Sequence, residues 1–139
     1  MSFDSTNPMQ ATDIRLEAGE VYSFTVTVKP GEEWKDNDLP ATPEGLNREA
    51  IKKDDRLNRK LDRLERFRVA RRVRKKGADW FTLMGSVGPD EEEVFKIGKC
   101  REYRPKSSGR LYLFVNDAPL FYGNNHGQAD VTVKRLHGQ

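Results

Sequence analysis

Asn116, Asp117, Asn124 and Asn125 stand in one connection between two apolar, β-prone runs, residues 111–115 and 131–133, in the stretch LYLFVNDAPLFYGNNHGQADVTV. A hydrophobic hairpin has no need of four carboxylate or amide side chains in its connection. A hard cation does, because Ca²⁺ takes about six to eight oxygen ligands from carboxylates, amide carbonyls, backbone carbonyls and water. The loop therefore reads as an oxygen-lined metal or polar-ligand cup at one end of a β-structure. Asn and Asp are also ordinary turn residues, since their side chains bond local backbone and tolerate left-handed conformations. Asn116, directly after the strand, is assigned to turn chemistry or strand-end packing.

Such a cup has to be held by strands, and the chain supplies them. Residues 20–28 alternate, with Val21, Ser23, Thr25 and Thr27 on one face and Tyr22, Phe24, Val26 and Val28 on the other, the period of a strand with one face on a core. Pro30-Gly31 ends it. Residues 32–45 read as a long loop, in which Trp34 asks for an apolar seat on the end of a sandwich. Asn47 is placed to cap a helix over residues 47–66, with Leu57, Leu61 and Leu64 as a narrow apolar stripe on a charged rod. Period-2 patterning returns at Phe67, Val69, Arg71 and Val73, which predicts a hairpin of residues 67–74 with 80–87. Residues 94–97, 111–115 and 131–136 complete the strands. Residues 1–13 read as a flexible tail ahead of a single domain over residues 14–139. The expected fold is all-β, an antiparallel β-sandwich (jelly-roll or galactose-binding-like) with one inserted charged α-helix.

The loop carries a family resemblance as well. Asn116-Asp117, four intervening residues, Tyr122-Gly123-Asn124-Asn125, one residue, Gly127 and a closing VTV strand resemble the galactophilic bacterial lectin (PA-IL-like) family. Upstream, residues 21–28 followed by Trp34, then Pro43-Glu44-Gly45, then 80–88 and 95–98, echo it in the same order. The resemblance implies a small calcium-dependent sugar-binding β-sandwich. It implies Ca²⁺ held by the side chains of Asp117, Asn124 and Asn125 and by the backbone carbonyl of Phe121. A further carbonyl would come from residues 35–38, where Asp36 and Asp38 are also candidate acids. Asp117 and Asn124 would hydrogen-bond the sugar hydroxyls, and His126, at the rim, would touch a ligand. The family's specificity wall has a histidine and a glutamine after the Pro-x-Gly step. Here that step runs into LNREAIKK, so galactose specificity does not transfer.

The composition suits one compact core: 139 residues, 35% hydrophobic, with two Trp and seven Phe. No apolar run approaches the ~18 residues of a membrane span, and the polar start MSFDSTNPMQATD lacks the apolar stretch of a secretory signal. A cytoplasmic, virion-associated or non-classically exported protein is expected. The single cysteine, Cys100, excludes an internal disulfide and a multi-cysteine zinc site, and is expected buried or half-buried on a strand. No G-x-S-x-G, H-E-x-x-H or phosphate-cradling glycine loop occurs. The neighbouring acids at Asp54-Asp55 and 91–93 do not define an opposed acid and base, so no enzyme is expected.

Charge is distributed unevenly. Residues 48–76 hold fourteen Lys and Arg against five Asp and Glu, a local +9, while the rest of the chain carries −6. A basic segment on an acidic body is a contact surface for an acidic partner or a second copy. Two function classes stay open: a non-catalytic carbohydrate-binding module, or a structural subunit of a homo-oligomer, virion or surface layer that uses the sandwich for protein contacts. Nucleic-acid binding rests on charge alone, without interleaved stacking aromatics, and ranks last.

Overall fold

Along Val21–Val28, Tyr22, Phe24 and Val26 are buried while Thr25 and Thr27 are exposed, so the alternation read from sequence is the burial pattern found. The structure is a computed structural model that describes residues 1–29, 33–36, 38–66, 79–117, 123 and 125–136. In chain order its elements are β1 (Ser2–Asp4), β2 (Gln10–Leu16), β3 (Val21–Val28), β4 (Lys35–Asp36), β5 (Leu39–Thr42), β6 (Gly45–Leu46), α1 (Arg48–Lys52) and α2 (Asp55–Arg66). Then follow β7 (Leu83–Val87), β8 (Val94–Lys96), β9 (Cys100–Tyr103), β10 (Gly109–Val115), β11 (Asn125–His126) and β12 (Gln128–Leu136).

One four-stranded sheet runs β1-β12-β3-β9, a second β2-β10-β7-β8, and a smaller third β11-β4-β5-β6. Neighbouring strands are antiparallel throughout these sheets. Phe24, Val26 and Val131 of the first sheet share one buried cluster with Leu83, Leu111 and Leu113 of the second. This is the two-layer core of an antiparallel β-sandwich, as the patterning predicts. Trp34 finds its apolar seat, 5% exposed and packed between Phe3 and Phe81 at ring-centroid distances of 6.2 and 5.6 Å.

Several expectations are corrected. Residues 1–13 contain β1 and the start of β2 instead of a tail. Phe3 is fully buried, and the Met1 ammonium donates to the Val131 carbonyl at 2.9 Å. The polar composition hid this, because Thr12 faces inward and donates its hydroxyl to the Leu111 carbonyl at 2.8 Å. Cys100 lies on a strand but is exposed. Trp80 and Phe81 precede β7 as a turn, Phe81 with φ 67°. The expected strand over residues 67–74 lies outside the described residues.

The expected single helix is two. Asn47 caps α1 as read, its Oδ1 accepting from the Ala50 N–H at 3.1 Å. Asp54 then caps α2, its Oδ1 accepting from the N–H groups of Arg56 at 3.0 Å and Leu57 at 3.2 Å. A second cap residue inside a helical stretch offers the backbone an alternative to continuation. Ile51 and Leu61 enter the main core cluster and Leu57 packs against it, so the apolar stripe pins the helices to the sandwich. The Leu64 side chain lies outside the described residues.

Candidate functional site

β10 ends at Val115 and delivers Asn116 and Asp117 to one end of the sandwich, both buried, with Asp117 2% exposed. The backbone entering this point is over-determined. Phe81 N–H donates to the Asn116 carbonyl at 2.8 Å, and Asn116 N–H donates to the Thr82 carbonyl at 2.9 Å. The Asn116 amide donates to the Asp79 carbonyl at 3.2 Å. Asn116 is thus the strand-end packing residue expected of it. Its clamp includes Phe81, a bulky residue held at positive φ, a conformation that costs of order 1–3 kcal/mol and persists only where the surroundings impose it.

The loop returns through β11. Asn125 pairs with Asp36 and His126 with Lys35, while β4 turns tightly into β5 with Asp36 opposite Leu39. The backbone of residues 35–36 from the first long loop therefore lies beside the Asn-rich loop, where a carbonyl from residues 35–38 was expected. Asn125 is 3% exposed. Its Nδ2 donates to the Ser5 carbonyl at 2.9 Å, and its Oδ1 has no hydrogen-bond partner among the described residues. A buried amide oxygen left without a donor costs of order 1–3 kcal/mol, which a cation or bound hydroxyl would offset. Phe121, Tyr122, Asn124 and His137 lie outside the described residues, as does the Asp36 side chain.

His126 is exposed on β11 and lines a polar groove of about 480 Å³ with Asp4, Thr6, Glu33 and Gln128. Asp38 is committed elsewhere: Arg56 donates to its Oδ2 at 2.8 Å and Lys60 to its Oδ1. Those two cations, Lys60 first, hold its carboxyl at a pKa of about 2. The Pro43-Glu44-Gly45 step is a structural junction. Glu44 receives the Lys99 N–H and an ion pair from Lys96 at 3.0 Å, and its carbonyl accepts from the Thr82 hydroxyl at 3.1 Å. The chain then enters α1 where the resembling family carries its specificity residues.

As a donor set, one buried carboxylate, amide oxygens and strand carbonyls fit a hard cation such as Ca²⁺ and not a thiophilic metal. Among the described residues no three His, Cys, Asp and Glu side chains cluster as metal ligands, so a cation here needs amide and backbone oxygens around Asp117. Sequence reasoning missed Ser5, whose carbonyl orients Asn125 from 120 positions away, and the Asp38–Arg56–Lys60 cluster. Neither leaves a signal in local spacing.

No family model matches the sequence, and no curated protein matches it. Among solved structures, the N-terminal domain of EclA, a PllA-like lectin, superposes with a TM-score of 0.59. The match covers 98% of this chain and 94% of that one at 19% identity. The two share a fold. At this identity the likeness is one of architecture, and functional residues have to be argued from this chain itself.

Proposed function

We propose that the protein is a non-catalytic carbohydrate-binding module that binds its ligand through Ca²⁺. The reading rests on the Asn125 amide oxygen, buried and without a hydrogen-bond donor among the described residues, on the loop that also carries buried Asp117. The lectin-domain fold of the neighbouring structure supports it. Asp117, Asn124 and Asn125 would hold the ion with carbonyl oxygens of Phe121 and of the strand carrying Asp36. Bound there, Ca²⁺ supplies a Lewis-acidic centre whose remaining positions suit paired sugar hydroxyls. Asp117 and Asn124 orient those hydroxyls by hydrogen bonds, and His126 stands at the rim of the neighbouring groove.

The test is a Ca²⁺ titration followed by thermal melting and by calorimetry with monosaccharides. Millimolar Ca²⁺ is expected to raise the melting temperature, since a ligand bound only by the native state stabilises it by mass action. Asp117→Asn removes the one formal negative charge in the set and is expected to abolish most of that shift, with sugar binding lost alongside. A parent protein indifferent to Ca²⁺, or a mutant with the parent's shift, defeats the reading.

A further inference from the structure

Among the described residues, an acidic side chain, Asp38, joins α2 to the connection that follows β4. Asp38 follows Asp36 by two positions and sits in the tight β4–β5 connection. Its two carboxylate oxygens are taken by different residues of α2, Oδ2 by Arg56 at 2.8 Å and Oδ1 by Lys60. Arg56 and Lys60 are four apart and so share one helix face. α2 is itself anchored at its other end. Arg48 spans from α1 to the Asp79 carboxylate, at 2.9 and 2.6 Å, and to Glu65 of α2 at 3.0 Å, and Leu61 lies in the core cluster.

β4 and β11 are only two residues long and pair through two register positions. β4 also pairs with β5 in the same four-stranded sheet, but the two-residue β4–β11 ladder contributes few hydrogen bonds of its own. On either side of that connection Trp34 and Leu39 are buried, and the Pro40 carbonyl accepts from the Asn47 N–H at 2.8 Å. Among the described residues, the contact made by a side chain of the connection itself is the one from Asp38 to α2.

We propose that Asp38 is a positioning residue for the ligand loop, and that α2, through Arg56 and Lys60, is a strut that holds β4 in register against β11. This deepens the proposed calcium reading, since it concerns the strand expected to lend the site a carbonyl. Preorganisation of this kind governs affinity because an unheld ligand has to be ordered on binding. The two cations also stand close to the strand expected to lend that carbonyl, through their pairing with Asp38. Asp36 and Asp38 α-carbons are at most about 7 Å apart, within a Debye length of about 8 Å at physiological salt.

Position and charge make opposite predictions for one variant. In R56Q/K60Q the strut is lost, which weakens Ca²⁺ binding, while two positive charges near a cation site disappear, which by Coulomb's law strengthens it. Loss of an outer-shell contact of this kind typically costs about 10–100-fold in metal affinity, so the strut predicts net weakening of about tenfold. The arginine and lysine are partly exposed, and exposed ion pairs contribute little to global stability. The melting temperature without Ca²⁺ is therefore expected to stay close to the parent's.

The experiment is amide hydrogen exchange on the whole protein without Ca²⁺, followed by Ca²⁺ titration, for the parent, R56Q/K60Q and D38N. Both variants are expected to exchange about tenfold faster at Lys35–Asp36 and Asn125–His126, with Val21–Val28 and Gln128–Leu136 unchanged. The swapped set D38R/R56D/K60D is expected to restore protection. Unchanged exchange at β4 and β11, or tighter Ca²⁺ binding by R56Q/K60Q, overturns the strut. A parent protein that binds no Ca²⁺ defeats the calcium reading alone, and the exchange rates then decide the strut by themselves.

Discussion

Gly127 joins β11 to β12 over the tryptophan beneath it, and only glycine can do so. Its φ is 138°, and a Cβ there would lie 2.6 Å from Trp34 Cε3 and 3.1 Å from the Glu33 carbonyl oxygen. Trp34 is held in turn by Phe3 and Phe81, which limits how far it can yield. Gly127→Ala combines backbone strain with overpacking and is expected to cost about 2 kcal/mol or more. Urea denaturation measures it, and a loss below about 0.5 kcal/mol would show that the Trp34 seat is looser than this packing implies. Asn116 was legible as a strand-end residue from its type and its place directly after an apolar run. The Trp34 contact was not, since nothing in a W-to-G separation of 93 positions signals proximity.

Among the elements, those with a strong period were read to within a few residues. β3 was read almost to its ends, and β10 and β12 were found with their apolar runs inside them. β1 and the start of β2 were missed because their inward faces carry Phe3 alone or Thr12 in place of a full apolar set, and β9 was read only as a strand at Cys100. β4, β5, β6 and β11 are too short for any period and exist through tertiary contact alone. The helical region shows the same division. Asn47 was identified as a cap, whereas Asp54 was passed over because charged residues on both sides suggested one continuous rod. Its cap bonds to Arg56 and Leu57 predict that Asp54→Ala destabilises α2 by about 1 kcal/mol. Asn47→Ala, with one cap bond to α1, is expected to cost a similar or smaller amount. Thermal melts followed by circular dichroism at 222 nm test this, and an Asp54→Ala protein as stable as the parent would remove the cap from the account.

At the scale of the whole molecule, the charged insertion belongs to the same cooperative unit as the sandwich. Ile51 is fully buried and Leu61 8% exposed within the one cluster that joins both sheets. Arg48 with Asp79 and Asp38 with Arg56 tie the insertion's polar side to the same body. Composition showed a basic segment beside an acidic remainder and pointed to an acidic partner or a second copy. Among the described residues, Arg48 reaches Asp79 and both Arg56 and Lys60 reach Asp38, so three cations of the segment meet acids of the body. Burial therefore separates two sets of mutations. Leu61→Ala leaves a cavity in the shared core and is expected to cost about 2–5 kcal/mol, lowering one unfolding transition common to helix and sheet signals. Arg59→Glu with Arg63→Glu reverses charge on exposed positions of the same helix and is expected to change stability by about 0.5 kcal/mol or less, with Ca²⁺ response unaltered. Equilibrium unfolding monitored by far-ultraviolet dichroism and by tryptophan fluorescence distinguishes them. Separate transitions for the two probes in Leu61→Ala, with the sheet signal at the parent's midpoint, would make α2 an appendage and leave the strut without a rigid support.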